Sequence, residues 1–477
     1  MPGDSGTTST TRGTLMLMAG QVVFLISGYA INILLAYKLE QEQYGRYGFI
    51  MTLLLWVELF VINGIPTAMQ KYLPSGTFNA SGLIRMGQRM QVRYTLLVFA
   101  AALALAPAIA WIFEDSALTP LFRIAAIDIV LYGMYWFYAG VLGGQRRFQQ
   151  QAIAAIAYPI GKLISVTVLV FSGFGVAGAL VGNWLGSIFG MLAGAWYVRS
   201  ALGRKSEQVD FLTIRRFAVP VVLFTISVNF LLNVDFFFVK RLLQERDLSY
   251  YFNAGTLARI PYLVFLAVSF TLLPVLSQAI AEGREEKVRE QVRQVLRVLL
   301  ILLTPVLLFF WQNAEATVLL LYPETYRPAA EILPLLTLAM TLFTYFYIIE
   351  TVINADARPG MAFIIAVAAV LVDAVANYML VPVYGIRGAA LGTCAGSLAG
   401  ILLGGSWMMS RFRSFVPWDT VLRIAVVSAL TMALFSAWQV GPALVIPKAL
   451  AFTGFYFAAV FLVREIDMPE VRTMLSR

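Results

Sequence analysis

The stretch AYPIGKLISVTVLVF, Ala157 to Phe171, has the composition of a membrane-spanning helix, except that the ammonium of Lys162 stands in its middle. A charge at that depth costs at least about 2.5–3.5 kcal/mol, so it faces protein or a water-filled cavity and has a partner or a ligand. Arg259 and the acids Glu58, Asp128, Asp235, Glu350 and Asp373 also fall inside apolar runs. The cations could hold an anionic group such as a phosphate, and the acids a coupling proton or ion. By depth, Glu58, Lys162, Asp373 and Arg259 come first. Asp235 and Glu350 lie within a turn or two of a helix end, from which they could reach the interface. Asp373 and Asn377, four apart, share one helical face and could simply hydrogen-bond each other. For all of these groups the plainer alternative is pairing that holds helices together.

Composition narrows the chemistry. With 60% hydrophobic residues, 13% charged residues and a mean hydropathy of +0.78, the chain is an integral membrane protein. It has no histidine and one cysteine, Cys394, so an internal disulfide is impossible and zinc, haem and histidine acid–base chemistry are not expected. No cofactor or metal is expected, and no enzymatic activity. The polar start MPGDSGTTSTTRG leads into an apolar run long enough to span, so the first helix is expected to stay uncleaved.

These residues are positioned by about fourteen apolar runs, each of about 20 residues. The runs centre on Phe24, Glu58, Val98, Val130, Lys162, Ile188, Asn229, Phe265, Leu307, Thr341, Ala369, Leu398, Val427 and Phe455. With the N-terminus inside, about two dozen of the 35 Lys and Arg residues fall in cytoplasmic segments and about nine outside. This predicts a multi-pass protein of the cytoplasmic (inner) membrane with both ends in the cytoplasm. The net charge of +9 then reflects topology; spread over many short loops, it gives no reason to expect a nucleic-acid partner.

FGVAGALVGNWLGSIFG (Phe174–Gly190) and YGIRGAALGTCAGSLAG (Tyr384–Gly400) match at an offset of 210, sharing Gly178/Gly388, Gly182/Gly392, Gly186/Gly396, Ser187/Ser397 and Gly190/Gly400. YWFYAGVLGG from Tyr135 falls over YFYIIETVIN from Tyr345 at the same offset. The copies sit six helices apart and so run the same way through the membrane. The expected architecture is all-α and polytopic. Two parallel six-helix lobes, 1–205 and 206–411, are followed by two further C-terminal helices, 412–477. At this offset Lys162 falls on Val372, one position from Asp373, so a cation in one copy answers an acid in the other. The glycines four apart are read first as packing surfaces.

Four segments carry a resemblance: Arg12–Phe49, beginning RGT and containing YGRY; NGIPTAMQKYLP (Asn63–Pro74); NVDFFFVKRLLQERDLSYYFNAGTLARIP (Asn233–Pro261); and DAVANYMLVPVYGIRGAALGT (Asp373–Thr393). In order and spacing, they resemble the polysaccharide transporter family, the O-antigen-type flippases of the multidrug/oligosaccharidyl-lipid/polysaccharide exporter superfamily. The resemblance implies a V-shaped alternating-access transporter that moves a polyprenyl-(di)phosphate-linked oligosaccharide from the cytoplasmic to the outer leaflet. It places family motif positions at Arg12, Arg46 and Asp235; Lys162 and Arg259 are assigned from membrane depth alone.

The expected substrate-binding residues are Lys162, Arg259, Arg12, Arg46 and Tyr135. Tyr135 belongs to a group with Tyr132, Trp136 and Tyr138 that could stack on sugars or form an interfacial aromatic patch. The expected coupling residues are Glu58, Asp373, Asp235 and Asp128, serving H+ or Na+. Membrane lipids and polysaccharide polymerase or assembly proteins are the other expected partners. Three rival readings are an exporter of drugs or cations from the same superfamily, a membrane-embedded glycosyltransferase or ligase, and a scaffold for glycan assembly. The exporter would prefer an acidic cavity. The enzyme would need an acid–base constellation and usually a larger external domain than loops of about ten residues allow.

Overall fold

In a bilayer every peptide group must be satisfied within its own segment, and helices do this. The computed structural model follows that rule: among the described residues every regular element is helical. The structure describes residues 5–75, 78–202, 222, 230, 232–260, 262, 272, 275–280, 282–356, 358–463 and 465.

The chain divides into two compact units, Met1–Asn229 and Phe230–Arg477. The first contains α1 (Ser5–Lys38), α2 (Gln41–Ile62), α3 (Ile65–Ser75), α4 (Ala80–Ile112), α5 (Leu118–Gly144), α6 (Phe148–Leu169) and α7 (Gly175–Leu202). The second contains α8 (Val234–Leu242), α9 (Glu245–Ala258), α10 (Glu285–Leu321), α11 (Leu333–Ala355), α12 (Pro359–Tyr384), α13 (Ile386–Phe412), α14 (Trp418–Ser436) and α15 (Val445–Leu462).

Among the described residues, 11 helical stretches are long and apolar enough to cross a membrane. One of them, Phe148–Arg199, is 52 residues long and holds both α6 and α7. Twelve of the fourteen expected spans therefore coincide with helices. The other two, centred on Asn229 and Phe265, lie outside the described residues. Large apolar side chains remain open on the outside of the helices, with Trp418 and Leu462 both 80% exposed. Hydrocarbon, rather than water, is the solvent for such a surface.

Glycines set the breaks. Gly64 has φ +81°, a left-handed conformation that ends α2 and starts α3. The duplicated segments share a turn: Gly175 (φ 52°, ψ −136°) begins α7, and Gly385 (φ 58°, ψ −138°) begins α13. Two positions 210 residues apart thus adopt one unusual conformation that only glycine enters freely, which is structural evidence for the duplication. A Cβ on Gly385 would meet no neighbouring atom, so the cost of Gly385→Ala is backbone strain alone. We expect this variant to lose about 1–3 kcal/mol of stability, measured as a lower Tm of the detergent-purified protein.

The core of the first unit gathers Ile65, Met69, Ile84, Phe137 and Leu142 from α3, α4 and α5. In the second unit α14 and α15 pack on α10 through Ile301, Ile424, Val427, Tyr456 and Val460. Beyond the end of α15, Glu465 receives Arg297 Nε at 3.0 Å, Arg423 Nη1 at 3.1 Å and the Thr420 hydroxyl. This carboxylate is 3% exposed, and its bonds pin the C-terminal helix pair to α10.

Candidate functional site

In the first unit, α7 approaches α6 along its glycine face. A Cβ on Gly186 would stand 2.5 Å from Lys162 Cβ, and one on Gly182 would stand 2.6 Å from Val166 Cα. Only glycine permits that distance, and the close approach brings the next positions of α7 to the charged residues. Asn183 donates its amide N–H to Asp128 Oδ2, and the buried Ser187 hydroxyl lies beside the same carboxyl. Glu58, from α2, adjoins Asp128, and Lys162 sits in the field of both acids.

Lys162 is only partly buried and makes no direct ion pair among the described residues; its Nζ stands 6.0 Å from the Tyr158 ring centroid. Glu58 and Asp128 are 6% and 1% exposed, and their carboxyls lie within hydrogen-bonding reach of each other, which requires a proton or a cation between them. Two acids and one base leave one negative charge when all are ionised. One proton or one monovalent cation neutralises the group, which an apolar setting favours.

Tyr135 and Tyr138 are each 6% exposed, while Tyr132 and Trp136 are half-buried. Tyr135 stacks inside the unit on Tyr158 at 5.3 Å and on Tyr132 at 5.7 Å. Arg46, on α2, is likewise engaged: its Nε donates to Asp115 Oδ2 at 2.9 Å, tying α2 to the loop before α5. Arg12 stands on α1, and its side chain is outside the described residues.

In the second unit Asp235, in the first turn of α8, is 4% exposed and points inward rather than to the interface. Its Oδ1 accepts from Phe236 N at 2.8 Å, and its Oδ2 accepts from Thr393 Oγ1 at 3.0 Å and from the Tyr251 hydroxyl. Asp373, on α12, is fully buried and interacts electrostatically with Asp235. Its Oδ1 accepts from Asn377 Nδ2 at 2.7 Å, whereas Asp373 Oδ2 and Asn377 Oδ1 are buried without partners among the described residues. Among the described residues both amide atoms of the fully buried Asn253 side chain are also without partners. Arg259 caps α9 and donates to Leu232 O at 3.1 Å and to Asn233 Oδ1 at 2.7 Å. Its positive charge acts on Asp235 without a direct contact. The group offers several oxygen atoms and an excess of negative charge, which is the chemistry of a site for H+ or a small cation.

The two units present corresponding helix pairs. A Cβ on Gly396 would stand 2.5 Å from Asp373 Cβ, as one on Gly186 would from Lys162. Gly392 meets Asn377 as Gly182 meets Val166, and Gly388 meets Leu380 as Gly178 meets Leu169. Before the turn the offset is therefore 211, not 210, and the structural counterpart of Lys162 is Asp373 rather than Val372. The extra residue belongs to the first copy and sits in the connection itself: α6 runs into a π-turn at Val170–Phe174, while α12 passes directly to Gly385 and α13. Changes of a single residue in register are what such turns absorb.

Asn183, Ser187, Tyr251 and Thr393 were not among the expected site residues. Two signals were present: Asn183 and Thr393 lie 210 apart, as do Ser187 and Ser397.

The polysaccharide biosynthesis protein family matches residues 34–331, more than half of the chain. An uncharacterized membrane protein of Methanocaldococcus jannaschii, MJ1375, is 21% identical over 399 residues, covering 79% of this chain and 92% of that protein. Among solved structures, the lipid II flippase MurJ in an inward closed conformation superposes with a TM-score of 0.77 at 16% identity, covering 94% of this chain and 99% of that one. An inward-facing multidrug resistance MATE family transporter of the MOP superfamily gives 0.69 at 15% identity, with 82% and 94% covered. With the fold of these structures and a family match over most of its first 331 residues, the chain is a multi-pass membrane protein belonging to the polysaccharide biosynthesis protein family.

Proposed function

We propose that the protein is a flippase that moves a polyprenyl-(di)phosphate-linked oligosaccharide from the cytoplasmic to the outer leaflet of the inner membrane, for surface glycan synthesis. Both termini are assigned to the cytoplasm on the charge bias of the loops. The observation that carries the reading is Lys162: a half-buried lysine at mid-span whose ammonium has no direct ion pair among the described residues. A diphosphate crossing the low-dielectric interior must exchange its hydration for fixed positive charge, and this lysine offers it. Arg12 and Arg259 assist at helix ends, Arg46 stays with Asp115, and Tyr135 takes a packing role.

Glu58 with Asp128, and Asp235 with Asp373, are the coupling groups. Each pair is enclosed within one unit, so binding of H+ or Na+ would act on how the helices of that unit pack rather than on the substrate directly. The acidic character of these groups is also what favours the rival reading, an exporter of cationic drugs.

Proteoliposomes separate the two readings. A fluorescent polyprenyl-diphosphate oligosaccharide should change leaflet at least about tenfold faster with protein than without. The same glycan on a polyprenol lacking phosphate, and a lipophilic cationic dye, should gain little. Faster movement of the dye alone would establish the exporter.

A further inference from the structure

The second unit contains a cavity of about 400 Å³ formed by none of the residues discussed above. It opens where α10 kinks at Asn313 (φ −127°, ψ 25°), against the end of α14 and the loop into α15. Lys448 lines it and is 2% exposed. The ammonium donates to Trp438 O, which uses one of its three donors, and no carboxylate pairs with it among the described residues. Glu315 also borders the cavity, but it is engaged with Arg327 at 2.9 Å. Gln312 donates to Met432 O at 2.7 Å, while its Oε1 is buried with no partner. The cavity is therefore polar, roomy and positively charged at its buried end.

We propose that this cavity binds a phosphate-bearing group, with Lys448 as its counter-ion. A buried ammonium bonded to one carbonyl is incompletely compensated, and a phosphate oxygen completes it with a charge-assisted hydrogen bond. The flanking helices show open apolar side chains, Leu434 at 57%, Ile446 at 58% and Leu450 at 71% exposure, on which acyl chains can lie. The group can thus be the phosphodiester of a membrane lipid, or free phosphate reaching the same ammonium from water. The site is separate from Lys162 and from both acidic groups, so it stands or falls independently of the flippase reading.

The test uses the full chain, stripped of lipid in a neutral detergent and titrated with phosphatidylglycerol, diacylglycerol or inorganic phosphate. Binding is read by native mass spectrometry and by the shift in Tm. Phosphatidylglycerol should bind and raise Tm, and diacylglycerol, which lacks the phosphate, should not. Lys448→Gln should weaken phosphatidylglycerol about tenfold, the value of one charge-assisted bond. Gln439 is exposed at the cavity mouth, so Gln439→Glu adds a repelling carboxylate without disturbing the core and should weaken binding severalfold. It decides the matter should Lys448→Gln fail to fold. A Tm shift from inorganic phosphate that Lys448→Gln abolishes would support the site and identify free phosphate as the source. Equal binding of diacylglycerol, or wild-type binding by both variants, would overturn the proposal.

Discussion

Lys162→Ala is expected to cut glycolipid flipping in proteoliposomes by about 10–100-fold, the equivalent of one hydrogen bond between charged groups. Lys162→Arg should retain part of the activity, since guanidinium also pairs with phosphate but is bulkier beside Tyr158 and Gly186. Alanine keeps the Cβ that packs against Gly186, so the α6–α7 contact survives. Stability is a separate matter: without the lysine, Glu58 and Asp128 face each other with less compensation, and Tm should fall. The double variant Lys162→Ala, Glu58→Gln relieves that repulsion. If Lys162 binds substrate, the double variant recovers Tm but not flipping. If Lys162 only balances the two acids, it recovers Tm together with gradient-independent flipping, the gradient-driven part being lost with Glu58, and the phosphate-binding role falls.

Much of this arrangement was legible in the sequence because hydrocarbon imposes a strict code on residue type. Lys162, Glu58 and Asp373 stood out since a charge in an apolar run has few reasons to be there, and the repeated glycines marked α7 and α13 as close-packing faces. Direction was harder to read. Tyr135 belongs to a helix apolar on all sides, so residue type alone could not say whether its ring met lipid, sugar or Tyr158. Arg46 and Asp115 are far apart in the chain and meet only through the packing of α2 against α5. The one-residue difference between the repeats was hidden for a related reason. The glycine identities cluster after the turn, while the first copy's additional residue lies just before Gly175, and within α6 only Ile153/Ile364, Ala155/Ala366, Ala157/Ala368 and Leu169/Leu380 are shared at the shifted offset, residue types too common in membrane helices to mark a register.

The register correction makes Asp373 the more informative acid, because the same place in the first unit holds a cation that cannot take up a coupling ion. Asp373→Asn preserves size and leaves an oxygen to accept from Asn377, but removes the charge. We expect it to lower gradient-driven flipping at least about tenfold and to abolish the response to an imposed H+ or Na+ gradient, while slow gradient-independent flipping persists. Thr393→Val should do less, since it takes only one of three hydrogen bonds from Asp235 and leaves both carboxyls charged. The comparison is diagnostic because Asp373 Oδ2 has no hydrogen-bond partner among the described residues. Losing a neutral structural contact cannot explain a large effect there, whereas losing an ion ligand can. If Asp373→Asn flips and responds to gradients like the wild type, the second-unit group is structural. Coupling would then rest with Glu58 and Asp128, where Lys162 already balances one of the two charges and only a single proton or cation is left to move.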